Sequence, residues 1–186
     1  MQYTDFIRCL EENPVIASTC DDRWEEAIAS PAQVIFYLSA NILSIGGRAT
    51  AAHEAGKVLL VHADLAEGIG KDSAGMKYLL KCGVDGIIST KAYMIKLAKE
   101  CGLIAIQRMF LFDSKGIESI SDMVKGNAPH LMEIMPGVIE KEIIRFSKGR
   151  IPVIAGGLIE TKAEVTKALR CGAIAVSTGK QGLWSI

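Results

Sequence analysis

One pattern recurs along almost the whole chain: a short β-type run, then a segment long enough for a helix, then another run. The runs are VIAST (15–19), VIFYLS (34–39), VLLVHADL (58–65), GIIST (86–90), IAIQRMFLFD (104–113), HLMEIMP (130–136), IPVIAGG (151–157) and AIAVSTG (173–179). Most are near-continuously aliphatic, with no alternation of polar residues. That is the signature of parallel strands buried on both faces. The intervening segments carry helical spacing, as in Met94, Leu97, Ala98 and Cys101, or Val165, Ala168 and Leu169. Thr161 and Glu164 fit a capping box, and Cys82-Gly83, Cys101-Gly102 and Cys171-Gly172 read as glycine-terminated helix ends.

Eight such units predict an α/β fold: a minimal TIM-like (β/α)8 barrel, residues 1–186 forming a single barrel domain. A doubly wound sheet seldom needs eight parallel strands in so short a chain, and no Gly-x-Gly-x-x-Gly follows the first run. Seven residues follow the last run, so the last helix is shortened or missing. Residues 3–12 look helical and are placed to cover one open end or side. A second copy of the chain is the other way to cover the bare outer wall, which makes a homodimer one expected partner.

Charge is unevenly spread. Residues 1–30 carry seven acids against Arg8 and Arg23, a net of −5, and the remaining chain carries +5. A basic face can therefore exist on a neutral protein. No run reaches the roughly 18 apolar residues of a membrane span, and no secretory leader pattern opens the chain, so a cytoplasmic location is expected. Five widely spaced cysteines without a Cys-x-x-Cys read as buried, reduced thiols. No metal-ligand cluster and no cofactor fingerprint is present.

The seventh and eighth runs both end in small residues. In a barrel their loops lie side by side at the C-terminal rim, where this fold usually binds phosphate. Gly156-Gly157 lets the backbone approach an anion, and the following helix would offer its first N–H groups. Ser177-Thr178-Gly179 adds hydroxyls and amides, and Lys180 adds charge. The plainer alternative is a tight βα turn beside a capped strand end; two such loops in paired positions favour phosphate.

Other polar groups fall near strand ends. His62 and Asp64 suit acid–base work or hydrogen bonding to ligand hydroxyls, or form a satisfied structural pair. The Gly-rich Glu67–Asp72 stretch could fold over a ligand or be a solvated loop. Lys91 follows the fourth run. Arg108 sits mid-strand among Ile, Met and Phe, where it needs a carboxylate or an anionic ligand, and Glu133 in the sixth run is the natural structural partner.

Several blocks, taken together and in order, are specific: His62-Ala-Asp64-Leu65, Lys71-Asp72, Gly86-Ile-Ile-Ser89-Thr90-Lys91, Ala105-Ile-Gln107-Arg108, Phe110-Leu-Phe-Asp113, Glu133-Ile-Met-Pro136-Gly137 and Ala155-Gly156-Gly157-Leu158-Ile159. From about residue 14 to Trp184 the chain resembles the glycerol-3-phosphate-responsive antiterminators that control glycerol uptake operons in bacteria. The resemblance implies a non-catalytic barrel that senses glycerol 3-phosphate and acts on leader messenger RNA of a glycerol utilisation operon. In such a sensor the phosphate would sit on Gly156, Gly157 and Ser177 to Gly179, His62, Asp64 and Glu133 would read hydroxyls, and Arg108 and Lys91 would add charge. The best candidate RNA surface is Lys141, Arg145, Lys148, Lys162, Lys167 and Arg170, although interleaved glutamates equally describe a solvated mixed-charge face. The other functional class is an enzyme of aldolase, isomerase or phosphodiesterase type acting on a small phosphorylated substrate, with Lys91 as a Schiff-base candidate.

Overall fold

In the computed structural model, which describes residues 1–112 and 128–186, parallel strands close into a barrel in strict chain order. They are β1 (Val15–Thr19), β2 (Val34–Tyr37), β3 (Val58–His62), β4 (Gly86–Ser89), β5 (Ile104–Phe110), β6 (Leu131–Met135), β7 (Val153–Gly156) and β8 (Ala175–Thr178), and β8 pairs back onto β1. Helix α1 (Tyr3–Glu12) precedes the barrel. The remaining helices among the described residues are α2 (Trp24–Ala29), α3 (Ile45–Glu54), α4 (Ser73–Lys81), α5 (Ala92–Glu100), α6 (Glu140–Ser147) and α7 (Lys162–Arg170). None of them is long and apolar enough to cross a membrane.

The strands are buried on both faces, which is why their sequences do not alternate. Successive residues still point in opposite directions. One set, including Ala17, Ile35, Leu59, Ile87 and Val176, faces outward under the helices. The other, including Ile16, Phe36, Leu60, Ile88, Ile106 and Ile154, fills the barrel interior, and there it meets Phe6 and Leu10 of α1. Because Val34, Val58, Ile104 and Leu131 belong to the same cluster, α1 seals the amino-terminal end of the barrel. Phe6 and Leu10 are four residues apart, so one helical face supplies both.

The predicted helix ends are present. Gly83, Gly102 and Gly172 follow α4, α5 and α7 at φ of 89°, 83° and 101°, conformations that a side chain would strain. The cysteines before them are free but only half-buried, because a residue at a helix C-cap keeps one side toward solvent; the expectation of fully buried thiols is corrected. Every run but the first also shortens at one or both ends. The third strand stops at His62 because Ala63-Asp64-Leu65 turns out of the ladder, and the eighth begins at Ala175 because Gly172 and Ala173 close α7. Asp113, the predicted end of the fifth run, lies outside the described residues.

An eighth helix is reduced to one 3₁₀ turn, Gln181–Leu183. Trp184 then packs, fully buried, against the barrel, and its indole donates to the Thr178 carbonyl at 2.8 Å. If α1 is the barrel's lower seal, Leu10→Ala should cost about 2–5 kcal/mol of unfolding free energy in urea titrations. An unchanged midpoint would mean that the barrel end closes without it.

Candidate functional site

Toward the carboxyl end the inward-facing positions switch from aliphatic to polar. Ser18, His62, Arg108, Glu133 and Ser177 all stand there, and all are buried. Glu133 is fully buried at the centre of the group. One carboxylate oxygen accepts from Arg108 Nε at 2.6 Å, and the other accepts from Ser177 Oγ at 2.5 Å. The predicted structural pair is therefore present, and pairing is what makes a buried charge tolerable. Gly156 belongs to this arrangement. A Cβ there would stand 2.6 Å from both Glu133 Oε1 and Ser177 Oγ, so the glycine clears space for the carboxylate and the hydroxyl.

The turns after β7 and β8 lie side by side, as expected, because Gly156 pairs in register with Ser177. Gly157 and Leu158 both adopt left-handed backbone, φ 72° and 59°. At Gly157 a Cβ would also meet the Met135 methyl at 2.7 Å. Both expected hydroxyls are already committed, that of Ser177 to Glu133. Thr178 Oγ1 donates to the Ile159 carbonyl at 2.7 Å and accepts from the Lys180 amide at 3.0 Å, so it ties the turns together. The amides just before α7, Glu160 and Thr161, donate to the Glu164 carboxylate, each at 2.9 Å. The capping box at Thr161 thus sets a carboxylate at the terminus expected to receive an anion, while the Lys162 and Ala163 amides keep no acceptor among the described residues. Among the described residues, the hydrogen bonds of the two turns leave the amides of Gly157, Leu158 and Gly179 without an acceptor.

A cavity of about 200 Å³ opens beside these turns. Arg108, Glu133, Gly157, Ser177, Thr178 and Gly179 line it, together with Ser18 and Arg23, which sequence reasoning missed. Neither belongs to a recognisable motif: Ser18 is one small residue in an apolar run, and Arg23 sits in a turn beyond the first strand. Lys180 lines an adjoining depression with Leu158, Glu160 and Gly179.

The other expected residues spread along the rim. His62 is buried in the mouth, and among the described residues neither ring nitrogen has a hydrogen-bond partner. Burial first, and the Arg108 charge second, push it below its ordinary value of 6.5, so the ring is neutral near pH 7. Asp64 is anchored. Burial alone would raise its carboxyl, but hydrogen bonds from Ser89 (2.5 Å) and Thr90 (2.8 Å from the amide, 2.6 Å from the hydroxyl) hold it below the usual value. Lys91 is exposed at the N-cap of α5, outside the barrel interior.

The Glu67–Asp72 stretch is tied down rather than loose. Its Lys71 reaches the Asp64 carbonyl, Glu67 bridges to Asn41, and Asp72 caps α4. The six expected RNA-contact residues are exposed on or beside α6 and α7. Two of them are already engaged with acids: Lys167 with Glu140 at 2.7 Å, and Arg145 with Glu142 at 3.6 Å. Among the described residues no cluster of His, Cys, Asp and Glu could hold a metal ion.

The chain has relatives among known families and solved structures. The model of a family described as glycerol-3-phosphate responsive antiterminator matches residues 15–184. An uncharacterised Escherichia coli K12 protein, YgcP, is 36% identical over 183 residues, covering 97% of this chain and 96% of its own. Among solved structures, a glycerol uptake operon antiterminator regulatory protein from Listeria monocytogenes superposes with a TM-score of 0.87 at 32% identity, covering 92% of this chain and 95% of that one. A glycerol uptake operon antiterminator-related protein from Thermotoga maritima gives 0.83 at 30%, covering 91% and 96%.

The Arg108–Glu133 pair sets a stability test. Arg108→Met strands a buried carboxylate and should cost about 3–5 kcal/mol, whereas adding Glu133→Leu should recover most of that loss. Additive losses in the double variant, measured by urea unfolding, would show that the two side chains are not coupled.

Proposed function

The chain belongs to the glycerol-3-phosphate responsive antiterminator family, and from that premise we propose that its barrel mouth binds glycerol 3-phosphate, or a close phosphate ester, and thereby controls binding to the leader RNA of a glycerol utilisation operon. The observation that carries the reading is the pair of in-register turns. Their acceptor-free amides at Gly157, Leu158 and Gly179 border a cavity whose inner wall is polar. Amides fixed in this way favour a doubly charged phosphate without having to reorganise around it. The cavity is smaller than the roughly 300–1,000 Å³ of drug-sized sites, which suits a compact ligand.

The phosphate would lie at the outer turns and the glycerol hydroxyls would point inward. Ser18 and Ser177 line that inner wall and can meet ligand hydroxyls, whereas His62 stands outside the lining and both Glu133 oxygens are already paired. Asp64 acts indirectly in this arrangement, by holding the β4 end through Ser89 and Thr90. Lys91 would contribute only long-range charge.

On the RNA side, Lys141, Lys148, Lys162 and Arg170 extend along α6 and α7 from the engaged Lys167 and Arg145. Phosphate contacts of this kind bind without sequence preference and weaken as salt rises. Ligand can control that binding only if it prefers one conformation or assembly of the barrel over another. A pair of barrels would double the basic surface presented to one RNA.

The test is titration calorimetry with glycerol 3-phosphate, glycerol and inorganic phosphate, followed by a leader-RNA gel shift with and without the ester. Saturable heat with the ester, none with glycerol, and a shift that depends on the ester are expected. Absence of heat with any phosphate ester would remove the reading.

A further inference from the structure

Two guanidinium groups line the cavity, and they differ in what they have left to offer. Arg108 is balanced by the buried Glu133 carboxylate at 2.6 Å, so it brings little net charge to an incoming anion. Arg23 enters from the opposite side, out of the Asp21–Arg23 turn that follows β1. Its nearest acid, Asp22, stands 3.6 Å away and is largely exposed, which makes that pair a weak, solvent-screened one.

We propose that Arg23 supplies the positive charge that recognises the ligand's phosphate, closing over the Gly157–Leu158 and Gly179 amides from the β1 side. This rests on the phosphate-ester reading of the cavity.

Two contacts hold Arg23 ready for that role, and two more pin the turn that carries it. One Nη donates to the Gly179 carbonyl, which fixes the guanidinium against the turn whose amide faces the site. The guanidinium carbon lies 6.0 Å from the centre of the buried Trp184 ring. The turn beneath it is pinned as well, because Asp21 accepts from Tyr37 at 2.5 Å and from Arg48 at 2.8 Å. A guanidinium carries five N–H donors in a rigid fork and stays charged at every accessible pH, so the donors not spent on Gly179 can grip a phosphate with two parallel bonds. Lys180 cannot do this: it is a point charge, and it lines the neighbouring depression rather than this cavity.

The assignment also gives the β8–β1 seam a part in ligand sensing. The same arginine meets the turn after β8, the Trp184 ring and the cavity, so a bound phosphate would join both sides of the seam where the barrel closes.

The test is calorimetric titration of glycerol 3-phosphate into the intact protein and its Arg23→Gln, Arg23→Lys and Lys180→Ala variants, with a thermal melt of each. Arg23→Gln should bind about ten- to a hundredfold more weakly, as expected for the loss of charge-assisted hydrogen bonds, and Arg23→Lys should fall between it and the parent. Lys180→Ala should weaken binding less than Arg23→Gln does, and the reverse order would overturn the assignment. A parent that binds the ester alongside an Arg23→Gln variant that binds it equally well would overturn the role of Arg23 and leave the site standing. A lowered melting temperature with unchanged affinity would make Arg23 a seam brace and overturn the proposal too. If the parent itself ignores the ester, the ligand reading fails, and this inference fails with it.

Discussion

The carboxyl end of this barrel is organised around one buried negative charge. Glu133 has no access to water, and Arg108 and Ser177 each satisfy one of its oxygens. A carboxylate in that position would otherwise be expelled or protonated, so its neighbours are constrained in turn. Arg108 has to stay inside. Residue 156 has to lack a side chain, and Ser177 has to keep its hydroxyl turned inward. The β5, β6, β7 and β8 ends are thus locked by one interaction, and the turns leaving β7 and β8 inherit fixed positions.

That lock has an electrostatic consequence. A phosphate drawn toward this end meets a carboxylate as well as donors, so the inner pocket is better matched to hydroxyl groups than to the anion. In the proposed reading the phosphate would lie outside the carboxylate, where the Gly157, Leu158 and Gly179 amides stand and where Arg23 enters. The start of α7 suits an anion less well, because the Glu164 carboxylate folds back there onto the Glu160 and Thr161 amides. In the proposed reading, anion recognition would rely on turn geometry and one guanidinium more than on a helix terminus.

Much of this was legible in the sequence, for physical reasons that also mark the limit. Unbroken aliphatic runs can be read as doubly buried strands, and glycine after a helical stretch as a left-handed stop, because each follows from local chemistry. The Arg108–Glu133 pair could be inferred because an arginine among aliphatic residues has few alternatives. The capping box at Thr161 and the anion-binding terminus were both read from the same stretch, and the box sets the Glu164 carboxylate where the anion was expected. The anchoring of Asp64 by Ser89 and Thr90, and the approach of Arg23 to Gly179 across 156 residues, depend on barrel closure. No local pattern carries that information.

The most direct measurement of the central claim is a set of amide chemical shifts recorded while inorganic phosphate and then glycerol 3-phosphate are added to isotope-labelled protein. The amides of Gly157, Leu158 and Gly179 should move together and saturate, with the ester also moving resonances near Ser18 and Ser177. Shifts that cluster instead at the start of α7, or along the basic face of α6, with those three amides unmoved, would contradict the account.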